Sequence, residues 1–311
     1  MPNIVCVVGP TASGKTALSV ELAKALDGEV ISFDSMQVYR GMDIGTAKPT
    51  EEEMDGVVHH MLDVADPKEN FSVGRYTEMA DPILQDILER KKTAVLVGGT
   101  GLYVDALISG REFSPCPATG VRETLEARAE KEGTEVLLKE LSVFDPEAAK
   151  RLYPADKKRI IRAMEVYYET GKTITKHNEE TRLLPPKYKA AWLGLTYSDR
   201  QTLYDRIDLR VDIMREQGLV AEVEDLLKQG IPETATAMQA IGYKEIVSAL
   251  KGEISMEAAM EAVKQNSRRY AKRQLTWFRR NEEIFWLDRS QITDMNLFPA
   301  ARRQIRDFDG A

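Results

Sequence analysis

IVCVV at residues 4–8 runs without a break into GPTASGKT at residues 9–16, and ALSVELAKA at 17–25 follows. The first segment is an apolar run of the length of a buried strand. The second meets G-x-x-x-x-G-K-[ST] at every specified position, and the third reads as a helix. Strand, glycine-rich loop and helix in that order turn several backbone N–H groups toward one oxyanion, at the positive end of a helix. Lys15 adds a point charge and the Thr16 hydroxyl suits Mg²⁺. Phosphate binding by Gly9, Pro10, Thr11, Ala12, Ser13, Gly14, Lys15 and Thr16 is therefore the first expectation. The loop alone does not say whether the phosphates belong to a nucleotide.

Outward from this loop, strand and helix alternate to about residue 110. EVISF at 29–33 reads as a second buried strand ending at Asp34, the stretch from Tyr76 to Arg90 as a helix, and AVLV at 94–97 as a third strand before Gly98-Gly99-Thr100-Gly101. This pattern predicts an α/β fold: a P-loop NTPase-like parallel sheet flanked by helices. Ligands of such sheets sit beyond the carboxyl ends of the strands, so the loops at Gly9, Asp34 and Gly98 should meet at one site. The character changes at SPCP, residues 114–117, and from Val121 to Gly171 the chain is charged and helical until Pro185-Pro186. AAWLGLT at 190–196 and IFWLD at 284–288 read as later strands, in an otherwise helical C-terminal region where Gly218 and Gly230 stand as helix C-caps. The expected division is a P-loop α/β core at 1–112, an all-helical insertion at 113–187, and the remainder of the core with a helical C-terminal region at 188–311.

The 311 residues carry a net charge of −7 and 43% hydrophobic residues, enough for a sizeable core. Bulk charge does not point to nucleic acid, so any such contact must be a local patch. Two cysteines, Cys6 and Cys116, make neither a disulfide framework nor a zinc cluster. The first strand begins almost at Met1, so no signal peptide is expected, and no apolar run approaches a membrane span of about 20 residues. A cytoplasmic, reduced location is expected, and nothing demands more than a monomer.

A P-loop NTPase normally carries a Mg²⁺-holding Asp at the end of a second strand. Here the strand at 94–97 ends in Gly-Gly-Thr-Gly, and the carboxylate stands instead at Asp34, followed by Ser35, Met36 and Gln37. Asp34 suits proton acceptance or Mg²⁺; the alternative is a turn aspartate. The glycines at 98, 99 and 101 let substrate approach the backbone closely, or mark only a tight connection. Arg206 and Arg210 share a helix face at i, i+4, as a phosphate clamp or as solvated ion pairs with Asp205 or Asp208. Lys264, Arg268, Arg269, Lys272, Arg273, Arg279 and Arg280 occur with no acid between them, interleaved with Tyr270, Trp277 and Phe278. That mixture suits nucleic acid, or a plain charged helix face. A smaller basic cluster, Lys157 to Arg159 with Arg162, lies in the insertion. His59-His60 point to opposite faces of an extended segment, which favours a structural or substrate-orienting role over a metal site.

Taken together, GPTASGKT at 9–16, DSMQVYRGMDIGTAKP at 34–49, HHMLDVADP at 59–67, VGGTGLY at 97–103, ADKKRIIRAMEV at 155–166, DRIDLRV at 205–211, AIGYKE at 240–245 and AKRQLTWFR at 271–279 closely resemble the tRNA isopentenyltransferase family in its bacterial form. The resemblance runs in order through nearly the whole chain. It implies transfer of a dimethylallyl group from dimethylallyl diphosphate to N6 of the adenosine just 3′ of the anticodon, with release of diphosphate. It implies Mg²⁺ as cofactor, held by Thr16, and catalytic roles for Asp34 as base, Thr100 beside the substrate, and Arg210 on the leaving diphosphate, with Arg206 as the alternative clamp. The tRNA anticodon stem-loop would be contacted by Asp34, Ser35, Met36, Gln37 and Thr100. Arg122, Lys158, Arg159 and Arg162 of the insertion would grip it, as would Gln239, Gly242, Tyr243 and Lys244. Lys272, Arg273, Gln274, Trp277 and Arg279 complete that set. A C-terminal zinc finger like that of eukaryotic relatives is not expected, since two distant cysteines cannot form one.

Three rival readings share parts of this pattern. A small-molecule kinase has the cradle and the α/β core, a prenyltransferase acting on free AMP has the chemistry, and a non-catalytic RNA-binding protein has the basic helix. The insertion and the basic helix favour tRNA over AMP, and Asp34 with an intact Lys15 and Thr16 favours an enzyme.

Overall fold

A computed structural model of the chain describes residues 3–111, 119–182 and 185–308. Two compact units emerge, one from Met1–Ile108 with Tyr188–Ala311 and one from Ser109–Lys187. The SPCP boundary and Cys116 lie outside the described residues.

The larger unit begins with β1 (Ile4–Val8), α1 (Lys15–Ala25), β2 (Gly28–Ser32), α2 (Glu51–Met54), β3 (His59–His60), α3 (Val73–Glu89), β4 (Thr93–Val97) and α4 (Gly101–Ser109). The smaller unit contains α5 (Val121–Glu132), α6 (Thr134–Phe144), α7 (Pro146–Ala149), α8 (Lys157–Thr170) and α9 (Ile174–Arg182). The chain then returns through β5 (Ala191–Thr196), α10 (Arg200–Glu216), α11 (Leu219–Lys228), α12 (Tyr243–Leu250), α13 (Met256–Phe278), β6 (Phe285–Asp288) and α14 (Asp294–Phe308).

The strands form one parallel sheet in the order β3-β2-β4-β1-β5-β6. Alternation sorts its side chains. Val5, Val7, Val30, Val95, Leu193 and Leu195 pack with Leu18 and Leu22 of α1 and with α14 residues Leu297 and Ile305. Ile4, Cys6, Val8, Ile31 and Leu96 face the other way, against Leu84 of α3, Leu107 of α4 and Phe278 of α13. With both faces covered, the strands read as unbroken apolar runs, which is why they were legible in the sequence. The expected strands at 4–8, 29–33, 94–97, 190–196 and 284–288 all form, each within a residue or so of its expected bounds. The two-residue edge strand β3 was not expected; it is too short to carry a period.

Helix starts follow local chemistry. Asp199 accepts from the amides of Gln201 and Thr202 to open α10, and Ser255 accepts from Ala258 to open α13. Gly14 opens α1 in the left-handed region, φ 91°, where the P-loop turns into the helix. Gly9 has φ 145°, and a Cβ there would lie 2.7 Å from the Leu195 carbonyl oxygen, so the loop crosses β5 in contact with it.

The smaller unit has its own apolar centre, Leu125, Leu137, Leu141, Ile160 and Met164, and stacks Phe144 on Tyr167 at 4.0 Å between ring centres. Within it, burial pushes the Glu165 carboxyl up, but Arg122 and Arg162 both bind it and hold it below its ordinary value.

Candidate active site

A cavity of about 370 Å³ opens at the carboxyl ends of β1, β2 and β4. Thr11, Lys15 and Thr16 reach it from the P-loop, Asp34 to Gln37 from the turn after β2, and Gly98 and Gly99 from the turn after β4. The three loops expected to converge thus do so. The opposite wall comes from α10, through Ile207, Arg210, Val211 and Met214, and from α13, through Val263, Tyr270, Arg273 and Gln274.

The cradle is held by its own contacts. The Ser13 hydroxyl donates to the Pro10 carbonyl at 2.9 Å, and the Lys15 ammonium donates to the same oxygen at 2.7 Å. Burial, followed by the nearby Arg210 charge, pulls Lys15 down to about 7, with Asp34 acting in the opposite sense. Arg210 is likewise lowered, by burial first, and among the described residues it has no hydrogen bond or ion pair. Arg206 is occupied differently: its Nε donates to the Ala12 carbonyl at 3.1 Å. Of the two arginines on one helix face, Arg210 lines the cavity and Arg206 braces the loop from outside.

Asp34 closes a tight turn. Its Oδ1 accepts from the amides of Met36 at 2.9 Å and Gln37 at 3.4 Å. The turn-aspartate alternative is therefore true of one oxygen; Oδ2 has no hydrogen-bond partner among the described residues. Burial raises the Asp34 carboxyl above its ordinary value, although those amides and Lys15 oppose the shift. Thr100 supports this turn rather than lining the cavity: its Oγ1 accepts from the Ser35 amide at 3.1 Å and donates to the Ser35 hydroxyl at 3.2 Å.

The glycines after β4 receive protein, not open space. A Cβ at Gly98 would meet Phe33, one at Gly99 would meet Gln274, and one at Gly101 would meet the Trp277 indole. Close packing by Phe33 and α13 thus accounts for all three glycines, while Gly98 and Gly99 also line the cavity, so the two readings of this turn both stand. Gln274 is 4% exposed and bridges the Thr11 amide and the Gly99 carbonyl, while the Trp277 indole N–H donates to Asp105 at 2.9 Å. Tyr243 is fully buried, packs on Gly45 and donates to Glu222 at 2.6 Å, so its side chain has no surface to offer RNA. Gln37 spends its amide on Ser32, Thr46 and Ala47. Ser35, Met36, Gln239, Gly242, Lys244 and Arg273 do line the cavity.

The basic run divides by helix face. Lys264 pairs with Asp212, Arg268 with Asp208, and Arg280 stacks over Trp277 at 3.9 Å. Lys272, Arg273 and Arg279 are exposed and have no ion pair among the described residues. In the smaller unit Lys158 and Arg159 are exposed, and Arg159 lies 3.6 Å from Asp156.

The histidines also divide. His60 binds the nearly buried Glu29, which Arg90 and Lys92 also hold. His59 lines the cavity, its Nδ1 is 2.9 Å from the Val57 carbonyl, and its buried Nε2 is unpartnered. Among the described residues no cluster of three or more metal-ligating side chains occurs. Sequence reasoning missed Tyr270 and Glu222. Tyr270 was visible only as one aromatic in a basic run. Glu222 accepts from the amides of Asp43, Ile44 and Gly45, far away in sequence, and nothing local marks it.

Residues 37–281 match the family model for IPP transferase. The chain is 48% identical over 293 residues to a tRNA dimethylallyltransferase of Acetivibrio thermocellus, covering 94% of this chain and 93% of that one. It is 50% identical over 294 residues to the tRNA dimethylallyltransferase of Halalkalibacterium halodurans, covering 93% and 92%. Its structure resembles the full-length tRNA isopentenylpyrophosphate transferase from Bacillus halodurans, with TM-score 0.73 and 44% identity over 99% of this chain and 98% of that one. It also resembles a eukaryotic dimethylallyltransferase described as acting on tRNA, with TM-score 0.84 and 30% identity, over 99% of this chain and 79% of that one. A glycine-rich loop and an aspartate that line one cavity are thus found in a chain that belongs to the IPP transferase family of tRNA dimethylallyltransferases.

Proposed function

We propose that this protein transfers a dimethylallyl group from dimethylallyl diphosphate to N6 of the adenosine 3′-adjacent to the anticodon of tRNA. The observation that carries the reading is one cavity holding a cradle lysine, an arginine with no hydrogen bond or ion pair among the described residues, and an aspartate with one oxygen unengaged among them. Two cations on one cavity, each lowered first by burial, call for an anion between them.

In the reaction the N6 nitrogen forms a bond to C1 of the allyl group as the bond from C1 to the diphosphate oxygen breaks. The electron pair leaves with the diphosphate, and the N6 proton goes to Asp34. An exocyclic amine is a poor nucleophile, so a placed base matters, and a carboxylate raised by burial is a stronger one. Charge grows on the leaving oxygen, where P-loop amides, Lys15 and Arg210 stabilise it. Thr100 holds the Asp34 turn through Ser35. The target base must leave its stack to reach Asp34.

Thr16 and Asp34 give the cavity hard oxygen donors, and a magnesium ion held by the Thr16 hydroxyl, substrate phosphate oxygens and water fits that set. When bound it would neutralise charge on the diphosphate.

The RNA would lie along the exposed cations of α13, Lys272, Arg273 and Arg279, with Ser35, Met36 and residues 239–244 around the flipped base. The smaller unit adds Lys158 and Arg159, and Arg122 and Arg162 would reach RNA only by sharing or leaving Glu165. A monomer and the cytoplasm complete the reading; among the described residues no helix is long and apolar enough to cross a membrane.

The test is a transfer assay with Mg²⁺, labelled dimethylallyl diphosphate and either unmodified tRNA or AMP. Label in tRNA alone is the expected result. Label in AMP alone would move the protein to free nucleotides, and label in neither would return the kinase reading.

A further inference from the structure

Gln274 stands where three segments of the cavity meet. The β1–β4 ladder ends at the pair Val7↔Val97, followed by one long contact from the Gly98 amide to the Val7 carbonyl at 3.4 Å. Beyond that point the sheet no longer ties the P-loop to the turn after β4. Gln274 supplies the next link: its Oε1 accepts from the Thr11 amide at 3.0 Å and its Nε2 donates to the Gly99 carbonyl at 3.1 Å. The two backbone groups have opposite polarity, and a primary amide satisfies both at once. A carboxylate would set a negative oxygen against the Gly99 carbonyl, and a thioether would satisfy neither group. The fit is close, because a Cβ on residue 99 would lie 2.0 Å from Nε2. One turn earlier on α13, Tyr270 lines the same cavity, and Thr100, next to Gly99, fastens the turn that carries Asp34.

We propose that Gln274 is a positioning residue that fixes the spacing between the diphosphate cradle and the turn holding the base, and that it does not contact RNA. The inference rests on the diphosphate reading above. The side chain is 4% exposed and both ends of its amide are engaged, whereas its neighbours Lys272 and Arg273 are exposed. The inner face of α13 therefore sets the site, and its outer face is left for nucleic acid.

The test compares Gln274→Met, Gly99→Ala and their double variant in the full chain. Inorganic pyrophosphate affinity with Mg²⁺, tRNA affinity and thermal unfolding are measured for each. Gln274→Met should weaken pyrophosphate roughly tenfold, the effect of about one hydrogen bond, and leave tRNA affinity within about twofold. Gly99→Ala should reproduce this by displacing the amide, and the double variant should be no weaker than either single one, since both remove the same link. Gln274→Glu, which keeps size and polarity, should fold and show the same loss; it decides the matter if the methionine variant unfolds. Pyrophosphate affinity unchanged in these variants, or tRNA affinity falling in place of it, would overturn the proposal. A wild-type chain that does not bind pyrophosphate at all would instead remove the diphosphate reading itself.

Discussion

Arg210 depresses Lys15: the two cations face one cavity, and the arginine charge adds to burial in lowering the lysine to about 7. Asp34 on the same cavity opposes this lowering without cancelling it. A diphosphate bound between the two cations restores the ammonium, so binding should take up a proton at pH 8, where part of Lys15 is neutral. Uptake should fade below pH 6, where it is already charged. Calorimetric titration of pyrophosphate in two buffers of different ionisation enthalpy reads this directly. Lys15→Arg, which stays charged, should lack that part of the uptake; equal uptake in both proteins would acquit Lys15.

Asp34→Asn should keep tRNA affinity and lose about 10²- to 10⁴-fold in turnover, the range of a general base. The sign of the pH effect follows from the direction of the shift. Burial raises the folded-state carboxyl above its ordinary 3.8, and only the carboxylate accepts the N6 proton. Turnover should fall as pH drops through this raised value, and the acid limb should vanish in the residual activity of the Asn variant. Single-turnover rates across the acid range test this, and an unchanged limb would place the titration elsewhere.

The two arginines of α10 should separate. Arg210→Ala should weaken pyrophosphate and slow transfer by one to two orders of magnitude, as expected for a charge-assisted contact to the leaving group of about 1.5–3 kcal/mol. Arg206→Ala loses a bond to the Ala12 carbonyl and should cost less than about tenfold. Equal losses would mean that the brace matters as much as the cavity-facing charge.

Charge reversal at Lys272 and Arg279 should reduce tRNA affinity and lower the slope of log affinity against log salt by about one for each phosphate left without its cation. Both side chains are exposed and unpaired among the described residues, so the fold should not suffer. Arg268→Glu is the contrast: it breaks the pair with Asp208 and should act on stability. An unchanged salt slope in the first variant would make α13 a solvated face.

Glu222→Gln should loosen the segment at 43–45. The carboxylate accepts three backbone amides and the Tyr243 hydroxyl, and the amide replaces one acceptor with a donor. A loss of about 1–3 kcal/mol is expected for buried groups left unpaired, seen as a lower urea midpoint with the slope unchanged. An unaltered midpoint would show that the clamp is dispensable.

The sheet, the cradle and Asp34 were all legible in the sequence because each depends on local order. A strand buried on both faces is an unbroken apolar run, and a P-loop is defined by spacing within eight residues. Asp34 announced itself by standing at the end of such a strand. What tertiary structure alone decided were the partners. Arg206 and Arg210 are indistinguishable by spacing, yet one meets the P-loop carbonyl and the other the cavity, because α10 is rotated by its buried Leu203, Ile207 and Val211. Gln274 sits in a basic run and reads as a nucleic-acid contact, but it lies on the buried face of α13 with Ala271 and Phe278, 263 residues from the Thr11 amide it binds. Hydrogen bonds across such separations depend on how helices dock on the sheet, and no local period encodes them.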